Sequence, residues 1–336
     1  MNNRNEEWIL PVKLKLSQGH TPIYCLEKIS KKLGKNIYIK RDDFTGIEVS
    51  GNKIRKLEYA LAEALAEGAK TIITCGALQS NHARATVAAC RKLGLDIHLV
   101  LRGDEPETFS GNLLIDRIMG AKVTYLSHEA FVNHTELMLE LKRQYDDLGN
   151  KAYIIPVGAS NGIGNFGYFN AYNEILDQER EMGISFDTII CTVGSAGTYS
   201  GLMLGNYYNN NRKKILGYSV GGSKSYFEGQ ARKIIDESIL ILNKLGNHIE
   251  HADVTMQFDI HDEYQGAGYA ITSQEDIDFI KEIALMEGLI LDPVYTGKCF
   301  KGLYSDVISG RLDDASNILF IHTGGLLGLE AFSKWF

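Results

Sequence analysis

Thr71-Ile-Ile-Thr-Cys-Gly76, an amphipathic segment over residues 80–94, and Ile97-His-Leu-Val-Leu-Arg-Gly103 follow one another along the chain. An apolar run too short for a helix and closed by glycine reads as a strand buried on both faces, and such strands belong to parallel sheets. Strand, helix and strand in alternation imply a doubly wound sheet. Reading outward, Lys122-Val-Thr-Tyr-Leu-Ser127 and Ala152-Tyr-Ile-Ile-Pro-Val-Gly158 continue the strands. Helical spacing links Ile54, Leu57, Leu61 and Leu65, and recurs over residues 111–120 and 133–149. After a long helix predicted over 164–182, the alternation resumes with strands at Thr188-Ile-Ile-Cys-Thr-Val-Gly194, Ile215-Leu-Gly-Tyr-Ser-Val-Gly221 and Asn317-Ile-Leu-Phe-Ile-His-Thr-Gly324. The fold class is α/β, with two doubly wound open domains.

A length of 336 residues suits about two domains. No Pro-rich linker or solenoid repeat separates them, so they are expected to pack closely. Residues 54–159 are expected to form a small α/β domain inserted into a large one built from residues 1–53 and 160–336. The net charge of −7 has the wrong sign for tracking a phosphate backbone, which argues against nucleic acid. No run of 18 apolar residues points to a membrane, and the opening Met1-Asn2-Asn3-Arg4-Asn5-Glu6-Glu7 lacks the apolar core of a signal peptide. A soluble cytoplasmic protein is therefore expected. Five scattered cysteines, Cys25, Cys75, Cys90, Cys191 and Cys299, with no Cys-x-x-Cys pair, write neither a disulfide framework nor a metal site. The 34 glycines cluster at the ends of apolar runs, where strands turn into helices. In open α/β sheets that end binds ligands.

Four segments fall there. Ser50-Gly51-Asn52-Lys53-Ile54-Arg55-Lys56-Leu57 is a loop entering a helix with Asn52 as its expected N-cap. Lys53 then faces the positive end of the helix dipole and two cationic neighbours, Arg55 and Lys56, which disfavours its ammonium form. A readily deprotonated amine is what Schiff-base chemistry requires; a solvated basic face paired with Glu58 or Glu63 is the plainer alternative. Gly194-Ser195-Ala196-Gly197-Thr198 follows a strand and opens a helix, so its amides can cradle a phosphate, although it matches neither the Walker nor the dinucleotide spacing. Gly76-Ala77-Leu78-Gln79-Ser80-Asn81-His82 puts polar side chains at another helix start, with Ser80 as N-cap or as part of a carboxylate nest. Asp292-Pro293-Val294-Tyr295-Thr296-Gly297-Lys298 presents a phenol on a turn, and Thr323 ends a strand.

Together these motifs resemble the D-cysteine desulfhydrase and 1-aminocyclopropane-1-carboxylate deaminase family, pyridoxal-phosphate enzymes of the tryptophan-synthase β-subunit fold (fold type II). The likeness runs from about Thr21-Pro22 to Gly324-Gly325. It implies that Lys53 forms the Schiff base with pyridoxal 5'-phosphate and moves the Cα proton, with Lys56 near the phosphate. The phosphate would rest on the turn from Gly194 through Ser195, Ala196 and Gly197 to Thr198. Asn81 would bond the ring hydroxyl, Gln79 and Ser80 would contact the substrate carboxylate, and Tyr269 and Tyr295 would flank a small amino-acid substrate.

Within that family the cyclopropane-opening deaminases carry Glu after the equivalent of Tyr295 and Leu at the position of Thr323. Here Thr296 and Thr323 occupy both, as in the desulfhydrases. A carboxylate at the ring nitrogen makes a strong electron sink, whereas a neutral hydroxyl does not. Thr296 and Thr323 thus imply elimination of hydrosulfide from D-cysteine, giving pyruvate and ammonia. The alternatives are 1-aminocyclopropane-1-carboxylate deamination and other eliminations, such as sulfite from L-cysteate or chloride from β-chloroalanine. From a different class, a non-catalytic anion-binding module would use the Gly194 turn alone. Departures from the family pattern at Ile54 and at Leu326-Leu327 bear on the substrate more than on the cofactor. The resemblance also implies a homodimer.

Overall fold

A computed structural model of the chain describes residues 8–210, 213–250 and 256–336. The opening Met1–Glu7, read above for a leader, lies outside the described residues. The element order is β1(Ile23–Cys25), α1(Glu27–Leu33), β2(Asn36–Lys40), α2(Lys53–Ala66), β3(Thr71–Ala77), α3(Asn81–Leu93), β4(Asp96–Arg102), α4(Gly111–Ile118) and β5(Lys122–Leu126). It continues with α5(His134–Asp147), β6(Ala152–Ile154), α6(Gly162–Met182), β7(Thr188–Val193), α7(Gly197–Tyr208), β8(Lys214–Ser219) and α8(Lys224–Lys244). The last elements are β9(Asp259–His261), α9(Gln274–Glu287), α10(Thr296–Ile308) and β10(Asn317–Ile321).

Among the described residues the strands form two sheets, as the alternation predicts. One has the order β5-β4-β3-β6 and is parallel throughout; the other runs β1-β2-β10-β7-β8-β9 and is parallel except for the β1–β2 edge. Strand order reverses at β3 in the first sheet and at β7 in the second, and ligands bind at the carboxyl ends of strands at such points. Those are the two strands that end in the Gly76 and Gly194 turns.

Three local expectations need correction. The run over 152–158 is a strand only to Ile154, because Pro156 has no N–H for the ladder and the chain then turns at Gly158 with φ +68°. The long helix begins at Gly162, where the Asn161 side chain accepts from the Gly164 amide. On α2, Ile54, Leu57 and Leu61 are buried as the spacing requires, but Leu65 is exposed and Ala64 takes the inner face. α2 lies against α6 so closely that a Cβ on Gly167 would stand 2.5 Å from the Arg55 carbonyl. On its other side α2 meets α3, so the helix that carries Lys53 at its start sits between the two sheets. All five cysteines are free, and Cys75 and Cys191 are buried. Among the described residues no helix is long and apolar enough to cross a membrane.

Candidate active site

A cavity of about 490 Å³ opens where the carboxyl ends of the two sheets face each other. Five of the six glycines that close the quoted strands converge on it: Gly76, Gly158, Gly194, Gly221 and Gly324 are in its wall.

Lys53 is in the wall at the first residue of α2. It is set there by Gly51, whose φ of +101° lets the chain pass against β10; a Cβ on Gly51 would lie 2.8 Å from the Thr323 carbonyl oxygen, to which the Asn52 amide donates at 3.1 Å. Burial pushes the Lys53 amine down to about 8. The depression was expected, but its cause differs. The charge of Arg55 is matched by Asp42 and Glu174, so that neighbour does not repel Lys53. The solvated-face alternative also fails: Glu58 accepts from the amides of Leu16 and Ser17, and Glu63 from the Tyr153 hydroxyl. Asn52 holds the N-cap position without capping; its side chain instead donates to Thr198 Oγ1 at 3.0 Å, tying α2 to the start of α7.

That start is built as an anion cradle. Ala196 has φ +62°, and successive amides in such a conformation turn inward as a nest. The Gly197 amide closes onto the Ser195 carbonyl at 2.9 Å, leaving the amides of Ser195, Ala196 and Thr198 without a protein acceptor among the described residues. Ser195, Ala196, Thr198 and Gly194 line the cavity; Gly197, expected with them, does not. Lys56 reaches the same place by way of Ser160: its Nζ donates to Ser160 Oγ at 3.0 Å, which meets Ser195 Oγ at 2.8 Å. Lys56 is fully buried and has no carboxylate partner among the described residues, and burial, with Lys53 adding, holds it well below its usual range. A buried lysine without a counter-ion is held neutral and recovers its charge when an anion is bound beside it. The residues therefore fit a phosphate.

Across the cavity Ser80 caps α3, accepting from the Ala83 amide at 3.1 Å, as expected. Asn81 lines the wall, oriented by Asn112 Nδ2, which donates to its Oδ1 at 3.0 Å. Gln79 is not in the wall. Its amide donates to the Ser110 carbonyl and accepts from the Asn112 backbone, so in this structure the side chain is engaged with the start of α4. Arg84 bonds the carbonyls of Glu48 and Ser50, latching α3 to the loop that leads to Lys53. Among the described residues, His82 Nδ1 and Thr192 Oγ1 are buried polar atoms of the lining without a hydrogen-bond partner. The Thr74 hydroxyl donates to the Ile155 carbonyl at 2.7 Å and so accepts from His82 Nε2 at 2.8 Å, leaving Nδ1 as a bare acceptor. Desolvation, then Lys53 and Lys56, keep that ring neutral. Orphaned atoms of this kind mark places where a bound group completes the bonding.

Tyr295 and Tyr269 bring their hydroxyls together in one hydrogen bond on the far side. The Asp292 carboxylate sets Tyr295 by accepting from the amides of Val294, Tyr295 and Thr296. Thr296 departs from expectation: fully buried, its hydroxyl donates to Asp292 at 2.7 Å and it is absent from the wall. Only Thr323 of the two threonines lines the cavity. Ser160, Thr192, His82 and Arg102 also stand in the wall without a role assigned from the sequence, although each lies at or just beyond a strand end already marked.

A buried lysine without a counter-ion behind a helix-start nest, facing a second lysine that loses its proton easily, is what a phosphorylated aldehyde requires. On this fold that defines a pyridoxal-phosphate-dependent enzyme. Comparison with known proteins agrees: the family described as "Pyridoxal-phosphate dependent enzyme" matches residues 14–324. A putative 1-aminocyclopropane-1-carboxylate deaminase of Thermotoga maritima is 44% identical over 324 residues, covering 96% of this chain and 99% of the relative. A D-cysteine desulfhydrase of Klebsiella pneumoniae is 37% identical over 325 residues, covering 95% and 96%. The crystal structure of a homologue of 1-aminocyclopropane-1-carboxylate deaminase superposes with a TM-score of 0.87 at 38% identity, covering 97% of this chain and 95% of that one. The chain belongs to the pyridoxal-phosphate-dependent family that holds these deaminases and desulfhydrases, and it has their type II fold.

Proposed function

We propose that the protein is a lyase that converts D-cysteine and water to pyruvate, ammonia and hydrogen sulfide. Pyridoxal phosphate, when bound, supplies an electron sink for the pair left on Cα. The nest at Ser195–Thr198, with Lys56 and Ser160 behind it, holds the phosphate, and Asn81 and Thr323 border the ring. Lys53 Nζ, at about 8, can take up and return a proton near neutral pH, which suits it to carry the Cα proton. Ser80 and the first amides of α3 hold the substrate carboxylate. Burial raises both Tyr269 and Tyr295, so the phenols stay protonated, and the pair keeps one hydroxyl hydrogen to offer the departing sulfur.

The observation that carries the choice of reaction is the absence of any aspartate or glutamate from the cavity wall among the described residues. With no carboxylate to keep the ring nitrogen protonated, the sink is moderate: enough to expel hydrosulfide, a stable anion, but weak for opening an unactivated cyclopropane. The test is sulfide release from each enantiomer of cysteine, run beside 2-oxobutanoate release from 1-aminocyclopropane-1-carboxylate. Sulfide from D-cysteine with little 2-oxobutanoate is expected. Comparable turnover of the cyclopropane would overturn the reading.

A further inference from the structure

The cavity wall contains three basic side chains, Lys53, Arg102 and Lys233, in a chain whose net charge is −7. The polarity of the wall is therefore local and opposes the average. In the reading above, Lys53 is committed to the aldehyde, the phosphate takes the nest and Lys56, and the substrate carboxylate takes Ser80 and the start of α3. Lys233 is exposed on α8 at the mouth. Arg102 is left without an assignment.

Arg102 ends β4, directly beside Ala77 in the sheet register and thus next to the turn that presents Ser80. Arg41, Arg55, Arg84, Arg91, Arg117 and Arg311 all donate to protein oxygens. Arg102 donates to none among the described residues. It is held by aromatic faces instead, its guanidinium carbon 5.7 Å from the ring centres of both Phe131 and Tyr269. Stacking fixes the plane of an arginine without neutralising its charge or consuming its five N–H donors. The same Tyr269 is hydrogen-bonded to Tyr295. The free guanidinium thus stands between the Ser80 turn and the tyrosine pair, where the substrate's side chain must lie if its carboxylate is at Ser80.

We infer that Arg102 is a specificity-determining residue that receives the substituent on the substrate's β-carbon as an anion, so that the cavity takes amino acids whose side chains end in a negative group, a sulfonate included, as well as thiols. The inference rests on the elimination reading, since it places the leaving group at Arg102. The chemistry balances without an oxidant or reductant: the Cβ–S bond breaks with its electron pair on sulfur, and cysteate and water give pyruvate, ammonia and sulfite.

The test uses holoenzyme and two amino acids without a sulfur leaving group, alanine and aspartate, each in both hands, titrated against the cofactor's absorbance. Wild-type protein is expected to bind aspartate at least tenfold more tightly than alanine in the favoured hand. Arg102→Gln is expected to abolish that preference while leaving the alanine affinity unchanged. Equal weakening of both ligands would assign Arg102 to the α-carboxylate and overturn the inference; so would no change in either, or a wild type without the preference. Arg102→Lys, which keeps the charge, is expected to retain part of the preference. Should Arg102→Gln fail to fold, the wild-type preference must shrink with added salt, as a charge contact does, and a salt-independent preference counts against it. Sulfide release that fails while the aspartate preference holds would sink the elimination reading alone; the converse would sink only the role of Arg102.

Discussion

Arg55 and Asp42 form a two-pronged ion pair inside the protein: Nε and Nη2 of the arginine each donate to one carboxylate oxygen at 2.9 Å. Glu174 accepts from the other side of the same guanidinium and from Lys40 Nζ, and Thr21 and Tyr168 donate to Asp42. Two carboxylates and two cations are balanced in a cluster that fastens the first turn of α2 to β2 and α6, two residues from Lys53.

Removing one partner from such a cluster leaves a buried charge uncompensated, at about 3–5 kcal/mol. Arg55→Met should therefore lower the denaturation midpoint sharply. The effect of pH has a fixed sign. Burial raises the carboxyls of Asp42 and Glu174, but their cationic partners outweigh it and hold both below the usual range. Their contribution is present above the ordinary carboxylate range and is lost as pH falls through the depressed folded values. Denaturant titrations at pH 7 and pH 3 should show the wild type losing more stability on acidification than Arg55→Met does.

Among the described residues the Lys56 amine has one hydrogen-bond partner, Ser160, whose hydroxyl meets Ser195 in the nest. If that nest takes a phosphate, a charge-assisted bond of roughly 1.5–3 kcal/mol is at stake. Lys56→Met should weaken cofactor binding about ten- to hundredfold in equilibrium dialysis. The apo-protein should become more stable, because a polar amine that is costly to bury has been replaced by an apolar side chain. An unchanged cofactor affinity would take the phosphate away from this end of the cavity.

The strands flanking α3 and α7 were legible because each is a buried apolar run closed by glycine, a local signal. β1 and β2 were not: Ile23–Cys25 is three residues long, and β2 exists as a strand through its pairing with β10, some 280 residues away. The site divides in the same way. Lys53, Ser80, Asn81 and the Ser195–Thr198 turn could be placed from the backbone beside them. Gln79 and Thr296 could not, since whether a side chain points to a cavity or to Ser110 and Asp292 depends on neighbours brought in by the fold. Arg102 lay at the end of a strand already marked, but nothing local set it apart; it reaches the wall because β4 pairs in register with β3.

Asp116 on α4 is fully buried, and both its carboxylate oxygens lack a hydrogen-bond partner among the described residues. Desolvation, only partly offset by Arg84, raises it to about 7. The folded protein then binds the proton more tightly than the unfolded chain does, so stability falls as pH rises from about 4 through about 7. At ~1.4 kcal/mol per pH unit the upper limit is about 4 kcal/mol. Asp116→Leu should raise the melting temperature at pH 8 and change it little at pH 4. An equal gain at both pH values would mean that the substitution acts by packing and that the charge is not responsible.

Lys53 sets the last expectation, because only its free amine can attack an aldehyde. With the amine at about 8, roughly a tenth of the apo-protein is reactive at pH 7, against less than a thousandth for an ordinary lysine. The rate of cofactor uptake by apo-protein, followed by absorbance, should rise about tenfold per pH unit below 8 and level off above it. Lys56 is itself held well below its usual range beside Lys53, and burial alone sets the Lys53 amine, so in Lys56→Met the midpoint should stay near 8. A midpoint near the ordinary lysine value in wild-type protein would show that water reaches this amine freely and that burial does not activate it.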